Sequence, residues 1–223
     1  MTPLLETVEF ETGTSPVAAV IWMHGLGADG HDFAPIVPEL ALPPSMSVRF
    51  VFPHAPMRPV TINNGWVMRA WYDVYNDAGE RREDEPGVRE SERAIVQLIE
   101  RETTRGMPAG RIVLAGFSQG GAMALHTGLR HPQRLAGIMA LSCFLPLPAV
   151  LAREASAENR DVPVFMAHGT DDGVIPLARA ERGRDALVEL GYRVESRVYR
   201  MAHAVCPEEI RDISAWLSRV LGG

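Results

Sequence analysis

Residues 111–125 read RIVLAGFSQGGAMAL, and they are the most informative segment of the sequence. Its first five residues, RIVLA, form a nearly continuous apolar run that is typical of a buried strand. The pattern G-x-S-x-G follows at residues 116–120, and a helical run comes directly after it. In this context of strand, sharp turn and helix, the pattern predicts a strained turn that lifts the side chain of Ser118 clear of the sheet. We therefore interpret Ser118 as a nucleophile at a helix N-terminus, where partial positive charge favours a developing anion.

Strand and helix candidates alternate along the whole chain. Strands are predicted at Thr7–Glu11, Val17–Met23, Ser47–Phe52, Arg111–Ala115, Leu135–Leu141, Val162–Ala167 and Arg193–Tyr199. Helices are predicted at Asp32–Ala41, Val88–Glu102, Gln119–Arg130, Pro176–Leu190 and Glu208–Val220. Nearly continuous apolar strands that alternate with helices of this length predict a mainly parallel sheet with helices on both faces.

We expect one α/β domain over residues 1–223, because no repeat or linker divides the chain and its length suffices for a sizeable core. The predicted strands and helices use nearly all of the residues, which leaves no room for a large lid domain. The polar segment Asn76–Glu85 is expected to be a solvated surface loop.

Composition excludes several kinds of chemistry and partner. All 22 basic residues are Arg, so mechanisms that need a lysine amine are excluded. The net charge of −6 disfavours nucleic acid as a partner. No apolar run approaches the roughly 18 residues of a membrane-spanning helix, and the opening sequence MTPLLETVEF lacks the features of a signal peptide. We therefore expect a cytoplasmic protein without an integral membrane segment, in which Cys143 and Cys206 are free thiols.

A serine nucleophile needs a histidine base and an acid that orients the histidine. Two adjacent carboxylates, Asp171 and Asp172, follow the predicted strand Val162–Ala167, and His203 follows the last predicted strand. The carboxyl ends of parallel strands meet at one edge of the sheet, and the chain order of serine, acid and histidine suits this arrangement. The position of His203 after the last predicted strand favours it over the six other histidines. The residues alone leave the choice between Asp171 and Asp172 open.

Several segments together resemble the acyl-protein thioesterase and carboxylesterase group of α/β-hydrolases. The resemblance covers nearly the whole chain and rests on HGLGADGHDF, PHAPMRPVTINNG, AWYD, AGFSQGGAMAL, LSCFLPL, HGTDDGVIP and MAHAVCPEEI. It implies a single-domain α/β-hydrolase fold in which Ser118 is the nucleophile, Asp172 the acid and His203 the base. It selects Asp172 over Asp171, because the acid of the family precedes a turn that corresponds to residues 173–176.

The resemblance also implies an oxyanion hole and an acyl pocket. The backbone N–H groups of Leu26 and Gln119 would stabilise the charge that develops on the carbonyl oxygen. Trp71, Phe144 and Val174 would line the substrate pocket. Phe144 stands where a tryptophan is common in this group, which leaves the width of the pocket open.

The resemblance implies no cofactor and no metal, and it is consistent with a homodimer. A rival interpretation makes a metal site of a group of residues in the segment HGLGADGHD, namely His24, Asp29, His31 and Asp32. The resemblance accounts for this segment without a metal, so we expect none.

These patterns predict an enzyme, a serine carboxylesterase or acyl thioesterase that works through an acyl-enzyme intermediate. Its substrate would be a small-molecule ester or another acylated molecule. Lysophospholipase activity on the same three residues is an alternative, and a non-catalytic binding protein on the same fold is the alternative from another class. The sequence leaves the natural substrate and its acyl-chain length open.

Overall fold

Strands and helices alternate along the chain in a computed structural model that describes residues 4–77 and 80–222. The strands are β1 Thr7–Glu11, β2 Ala18–Met23, β3 Val48–Pro53, β4 Met57–Val60, β5 Trp66–Arg69, β6 Val74–Asp77, β7 Glu80–Glu83, β8 Ile112–Phe117, β9 Gly137–Leu141, β10 Val164–Gly169 and β11 Val194–Tyr199. The α-helices are α1 Glu85–Thr104, α2 Gln119–Arg130, α3 Pro148–Glu154, α4 Leu177–Glu189 and α5 Pro207–Leu221.

Seven strands form the central sheet, in the order β1-β3-β2-β8-β9-β10-β11. Strand β1 is antiparallel to β3, and the remaining neighbours are parallel. The predicted mainly parallel sheet is therefore confirmed. The parallel arrangement brings the carboxyl ends of β8, β10 and β11 to one edge, which is the edge where ligands bind in open α/β sheets.

Each face of the sheet carries its own buried core. Strand β2 shows the alternation, since Ile21 belongs to one core and Trp22 to the other. The first core packs beneath α1, α2 and α4, to which α1 contributes Ile95. The second core packs beneath α5, to which that helix contributes Trp216. Helices therefore cover both faces, as the nearly continuous apolar strands predicted.

The helix predicted at Asp32–Ala41 is wrong in type and length. The segment forms a 3-10 helix over Ala34–Glu39, with Pro35 in its first turn and Pro38 inside it. Pro38 has no N–H group to donate to the carbonyl four residues earlier, so a regular α-helix cannot continue through it. The short 3-10 helix nevertheless buries Val37, one of the apolar residues of the segment.

The surface loop predicted at Asn76–Glu85 is also wrong. Strands β6 and β7 pair in this region as an antiparallel hairpin, and α1 begins at Glu85. Residues 78 and 79 lie outside the described part of the chain. Polar composition cannot separate a solvated loop from a short polar hairpin, because the backbone hydrogen bonds of the hairpin leave no mark on the sequence.

A second hairpin, formed by β4 and β5, lies outside the central sheet as well. Within residues 4–77 and 80–222, these two hairpins are the sheets added to the seven-stranded core, and no large lid domain accompanies them. In the same part of the chain, no helix combines the length and the apolar character that spanning a membrane requires.

Candidate active site

The turn between β8 and α2 holds Ser118 in a strained conformation. Its backbone has φ of 55° and ψ of −118°, values that an L-residue rarely adopts, and it caps α2. Two glycines make this turn possible. A Cβ atom at Gly120 would meet the backbone of Met23, and one at Gly116 would meet the backbone of Gly120, both far inside 3.0 Å. The sequence therefore folds into a tight turn that only glycine permits on either side of the serine.

Three side chains from distant parts of the sequence meet at the carboxyl edge of the sheet. The Oγ of Ser118 lies 2.9 Å from the Nε2 of His203. The Nδ1 of the same imidazole lies 2.7 Å from the Oδ2 of Asp172. The ring of Phe117 packs against the imidazole with ring centroids 4.8 Å apart. The arrangement can move a proton from the serine to an oriented histidine.

The carboxylate of Asp172 accepts three hydrogen bonds. Its Oδ1 accepts the backbone N–H groups of Val174 and Ile175, both at 2.8 Å. Its Oδ2 faces His203 and also lies 3.3 Å from the Nε2 of His168. Burial alone would raise the pKa of Asp172, but the hydrogen bonds from His203 and the two backbone N–H groups outweigh it and lower the pKa. The carboxylate therefore stays ionised beside the imidazole.

The neighbouring carboxylate occupies a different environment. Asp171 is exposed, and its backbone N–H bonds the carbonyl of Met201. The side chain of Asp172, in contrast, is fully buried beside His203. Backbone geometry at the end of β10 thus directs one of the two adjacent carboxylates inward and the other outward.

The loop after β2 is braced by the buried imidazole of His24. Its Nδ1 donates to the carbonyl of Gly25 at 2.7 Å, and its Nε2 accepts the backbone N–H of Ala55 at 3.0 Å. Burial lowers the pKa of His24 to about 4, so the ring is neutral and its tautomer is fixed. The indole Nε1 of Trp71 donates to the carbonyl of His24 at 2.9 Å.

The side chain of Gln119 clamps a second segment against the turn. Its Oε1 accepts the backbone N–H of Trp71 at 2.7 Å, and its Nε2 donates to the carbonyl of Tyr72 at 2.7 Å. Gln119 is also the first residue of α2, directly after Ser118. Leu26 and Gln119, the two residues predicted to supply oxyanion-hole N–H groups, line the same cavity as Ser118.

This cavity has a volume of about 220 Å³. Phe144 and Val174, two of the predicted pocket residues, belong to its lining. Trp71 does not line the cavity. It is fully buried, and it donates hydrogen bonds from its indole Nε1 to the carbonyl of His24 and from its backbone N–H to Gln119. The described residues that line the cavity are Leu26, Ile62, Asn63, Tyr72, Val74, Arg82, Glu83, Ser118, Gln119, Phe144, Val174, Ile175 and Arg179.

Sequence reasoning missed the three charged residues of this lining, Arg82, Glu83 and Arg179. Two of them, Arg82 and Glu83, lie in the segment Asn76–Glu85, for which the sequence predicts a solvated loop. The strand sequences VYND and ERRE show no alternation of polar and apolar residues, so no sequence signal predicts the hairpin or places its charged residues beside the serine.

A group of three possible metal ligands lies close to the loop after β2. The ligand atoms of Asp29, His31 and His54 lie within 4.8 Å of one another, whereas His24 and Asp32 of the rival interpretation are not part of the group. The Nδ1 of His54 accepts the backbone N–H of Gly30 at 3.1 Å. A neutral imidazole that accepts at Nδ1 carries its proton on Nε2, so neither nitrogen offers a free lone pair to a metal. The geometry is therefore poorly suited to metal binding.

The parallel sheet, the strained serine turn, and the acid and histidine at later strand ends define an α/β-hydrolase. The chain belongs to the phospholipase/carboxylesterase family, whose model matches residues 7–221. It is 41% identical over 213 residues to acyl-protein thioesterase 1 of Neurospora crassa, covering 92% of this chain and 87% of that protein. It is 40% identical to acyl-protein thioesterase 1 of Mycosarcoma maydis, covering 94% of each.

Solved structures show the same fold. Arabidopsis thaliana SOBER1 superposes with a TM-score of 0.84 at 30% identity, covering 92% of this chain and 99% of that one. Zea mays acyl-protein thioesterase 2 superposes with a TM-score of 0.85 at 28% identity, covering 97% and 99%. The family predicted from the sequence and the α/β-hydrolase fold class are both confirmed, and the protein is a hydrolase.

Proposed function

We propose that the protein hydrolyses carboxylic esters and thioesters through an acyl-enzyme on Ser118. The observation that carries the proposal is the 2.9 Å contact between the Oγ of Ser118 and the Nε2 of His203, whose other nitrogen is held by Asp172. His203 takes the serine proton as Oγ attacks the carbonyl carbon, and it returns that proton to the leaving alcohol or thiol. Water then repeats the sequence and releases the carboxylic acid.

The negative charge of the tetrahedral intermediate needs fixed donors. We assign these to the backbone N–H groups of Leu26 and Gln119, since both residues line the cavity beside Ser118. The rigid support of both segments favours this assignment. The carbonyl of Arg69 accepts the N–H of Gly27, next to Leu26, at 2.9 Å, while the side chain of Gln119 is held at both ends.

The substrate class follows from the relatives and from the cavity. The relatives named acyl-protein thioesterase support thioesters as well as oxygen esters, and the cavity beside Ser118 can receive a small-molecule ester or the acyl group of a larger molecule. We also propose a cytoplasmic location, in keeping with the free Cys143 and Cys206, and a homodimer, in keeping with the family resemblance. Light scattering after size exclusion tests the dimer, and a monomeric mass at micromolar concentration would contradict it.

Nucleophile labelling tests the proposed function. Ser118→Ala should lower kcat for a nitrophenyl ester and for an acyl thioester by a factor on the order of 10^6. A fluorophosphonate should label the wild-type protein once, at Ser118, and should not label the variant. Ser218→Ala, which changes a serine on α5, is the matched control and should keep both the label and the activity. Labelling of another serine, or no hydrolysis of either substrate by the wild-type protein, overturns the proposal.

A further inference from the structure

The cavity beside Ser118 combines an apolar wall with a charged one. Its apolar lining includes Phe144 and Ile175, whereas its charged lining consists of two guanidinium groups and one carboxylate, Arg82, Arg179 and Glu83. A site built only for an alkyl chain has no use for charged groups, because burying them beside hydrocarbon removes water that stabilises them.

Arg179 is held in a defined position in the first turn of α4. Its guanidinium carbon lies 3.6 Å from the ring centroid of Phe144, so the flat face of the cation rests on the aromatic ring. Its Nη2 lies 3.3 Å from the Oε2 of Glu83. Stacking uses a face of the guanidinium and leaves the N–H groups at its edge directed sideways.

The hydrogen bonding of Arg179 is far from saturated. A guanidinium offers five N–H donors, and within the described part of the chain the carboxylate of Glu83 takes one of them, at a long distance. The side chain of Arg179 is 26% exposed and that of Glu83 is 13% exposed. The carboxylate of Glu83 has a second partner, since its Oε1 accepts the backbone N–H of Leu147 at 3.4 Å. The cation therefore keeps donors for a second anion.

A carboxylate is the ligand that fits these donors. Two parallel N–H groups of a guanidinium match the two oxygens of a carboxylate, and such bonds are stronger than those between neutral groups. The aromatic ring of Phe144 beneath the cation limits its rotation, so little side-chain entropy is lost when a ligand binds. An uncharged alkyl chain at the same place would gain nothing from Arg179 and would shield it from water.

We propose that Arg179 is an anion subsite in the substrate cavity, and that the preferred substrates are esters or thioesters that carry a carboxylate. The inference rests on the proposed ester hydrolysis at Ser118 and names the substrate class for that site. The carboxylate can belong to the acyl part, as in a half-ester of a dicarboxylic acid, or to the alcohol part, as in an ester of a hydroxy acid. The chemistry at Arg179 is the same in both cases.

The test compares acids with neutral amides of the same size. In one arm, the phenyl half-ester of adipic acid is compared with the phenyl ester of adipic acid monoamide. In the other arm, the acetate ester of 4-hydroxybenzoic acid is compared with that of 4-hydroxybenzamide. We expect the wild-type kcat/KM to favour the acid by about 10- to 100-fold in one of the two arms, which also identifies the part of the substrate that bears the carboxylate.

Variants connect that preference to the proposed residue. Arg179→Gln should abolish the preference for the acid while the amide is still hydrolysed. Glu83→Gln should increase the preference, because it removes the carboxylate that competes for the cation. Arg182→Gln, an exposed residue on the same helix, changes the net charge equally and should leave the preference unchanged. Higher ionic strength should weaken the preference.

The outcomes separate the inference from the proposed function. If the wild-type protein hydrolyses the amides at least as well as the acids in both arms, the inference is overturned while ester hydrolysis stands. If neither kind of ester is hydrolysed, the proposed function falls and the inference falls with it. If Arg179→Gln does not fold, Glu83→Gln decides: an unchanged or smaller preference for the acid contradicts the subsite.

Discussion

The Nδ1 of His203 lies 2.7 Å from the Oδ2 of Asp172, on a carboxylate whose other oxygen is already occupied by two backbone N–H groups. The two oxygens are therefore not interchangeable, because rotation of the carboxylate would break three hydrogen bonds. This fixes the imidazole with Nδ1 as the donor and leaves the lone pair of Nε2 directed at Ser118. The orientation of the base thus depends on the turn that supplies those backbone donors.

The first prediction uses this asymmetry. In Asp172→Asn, the amide oxygen should take the place of Oδ1, since only an oxygen can accept the N–H groups of Val174 and Ile175. The amide NH₂ would then face His203 and force its Nδ1 to accept, which places the ring proton on Nε2. We expect kcat for a nitrophenyl ester to fall by about 10^4 with the fold intact.

Asp171→Asn is the matched control for that variant. Asp171 is exposed, and its backbone N–H donates to the carbonyl of Met201, two residues beyond β11. The kcat of the Asp171→Asn variant should stay within a few-fold of the wild-type value. Equal losses in the two folded variants would show that the acid is wrongly assigned or that the pair acts together.

The candidate site was predictable because each of its three side chains lies within four residues of the carboxyl end of a strand in the parallel sheet. Ser118 follows β8, Asp172 follows β10 and His203 follows β11, and these strands are parallel. An apolar run identifies β8 and β10 in the sequence, and a parallel sheet brings the carboxyl ends of its strands to one edge. The strand ends bring the three residues to one edge of the sheet, and the loops after β10 and β11 then direct Asp172 and His203 towards Ser118.

The charged wall of the cavity was not predictable by the same reasoning. Glu83 lies in a short polar hairpin, and Arg179 lies in the first turn of a helix almost a hundred residues later. Their meeting depends on how the hairpin and α4 pack over the sheet, which no periodicity encodes. The prediction of an α-helix at Asp32–Ala41 was wrong for a different reason. Apolar residues have a helical spacing there, but two prolines prevent a regular α-helix, and a 3-10 helix forms over Ala34–Glu39.

A second prediction concerns the glycine after the serine turn. A Cβ atom at Gly120 would meet the carbonyl oxygens of Met23 and His24, and backbone atoms cannot move away as a flexible side chain can. We expect Gly120→Ala to lower the free energy of unfolding by about 1–3 kcal/mol or more, measured by urea denaturation. At Gly173 a Cβ atom meets nothing within 4 Å, so Gly173→Ala should be nearly neutral. Similar stability losses in the two variants would contradict this account.

A third prediction concerns His168, a buried residue that positions the acid. Its Nε2 lies 2.8 Å from the carbonyl of Ile175 and 3.3 Å from the Oδ2 of Asp172, so it links both ends of the turn. His168→Ala should lower kcat by up to about 100-fold through misplacement of Asp172. His168→Gln, which keeps a donor near the position of Nε2, should recover part of that loss. Unchanged kcat in a folded His168→Ala variant would show that the backbone donors alone hold the acid.

The last prediction concerns the pH dependence of stability. Glu209, near the start of α5, is fully buried, and burial raises its pKa from 4.5 to about 8. Below pH 4.5 both the folded and the unfolded chain hold the proton, so the residue adds no pH dependence. Between about 4.5 and 8 the unfolded chain releases this proton and the folded chain keeps it. Stability should therefore fall with rising pH across this range, by at most about 1.4 kcal/mol per unit.

Glu209→Gln removes that proton equilibrium while nearly preserving the shape of the side chain. We expect its free energy of unfolding, from urea titrations at several pH values, to exceed the wild-type value by about 2–4 kcal/mol at pH 8. The difference should shrink towards pH 4.5, where the wild-type carboxyl is protonated in both states. Glu208→Gln changes the exposed neighbour and should keep the wild-type slope across this range. An equal slope in wild type and Glu209→Gln would mean that the buried carboxyl ionises in the folded protein at its ordinary pKa.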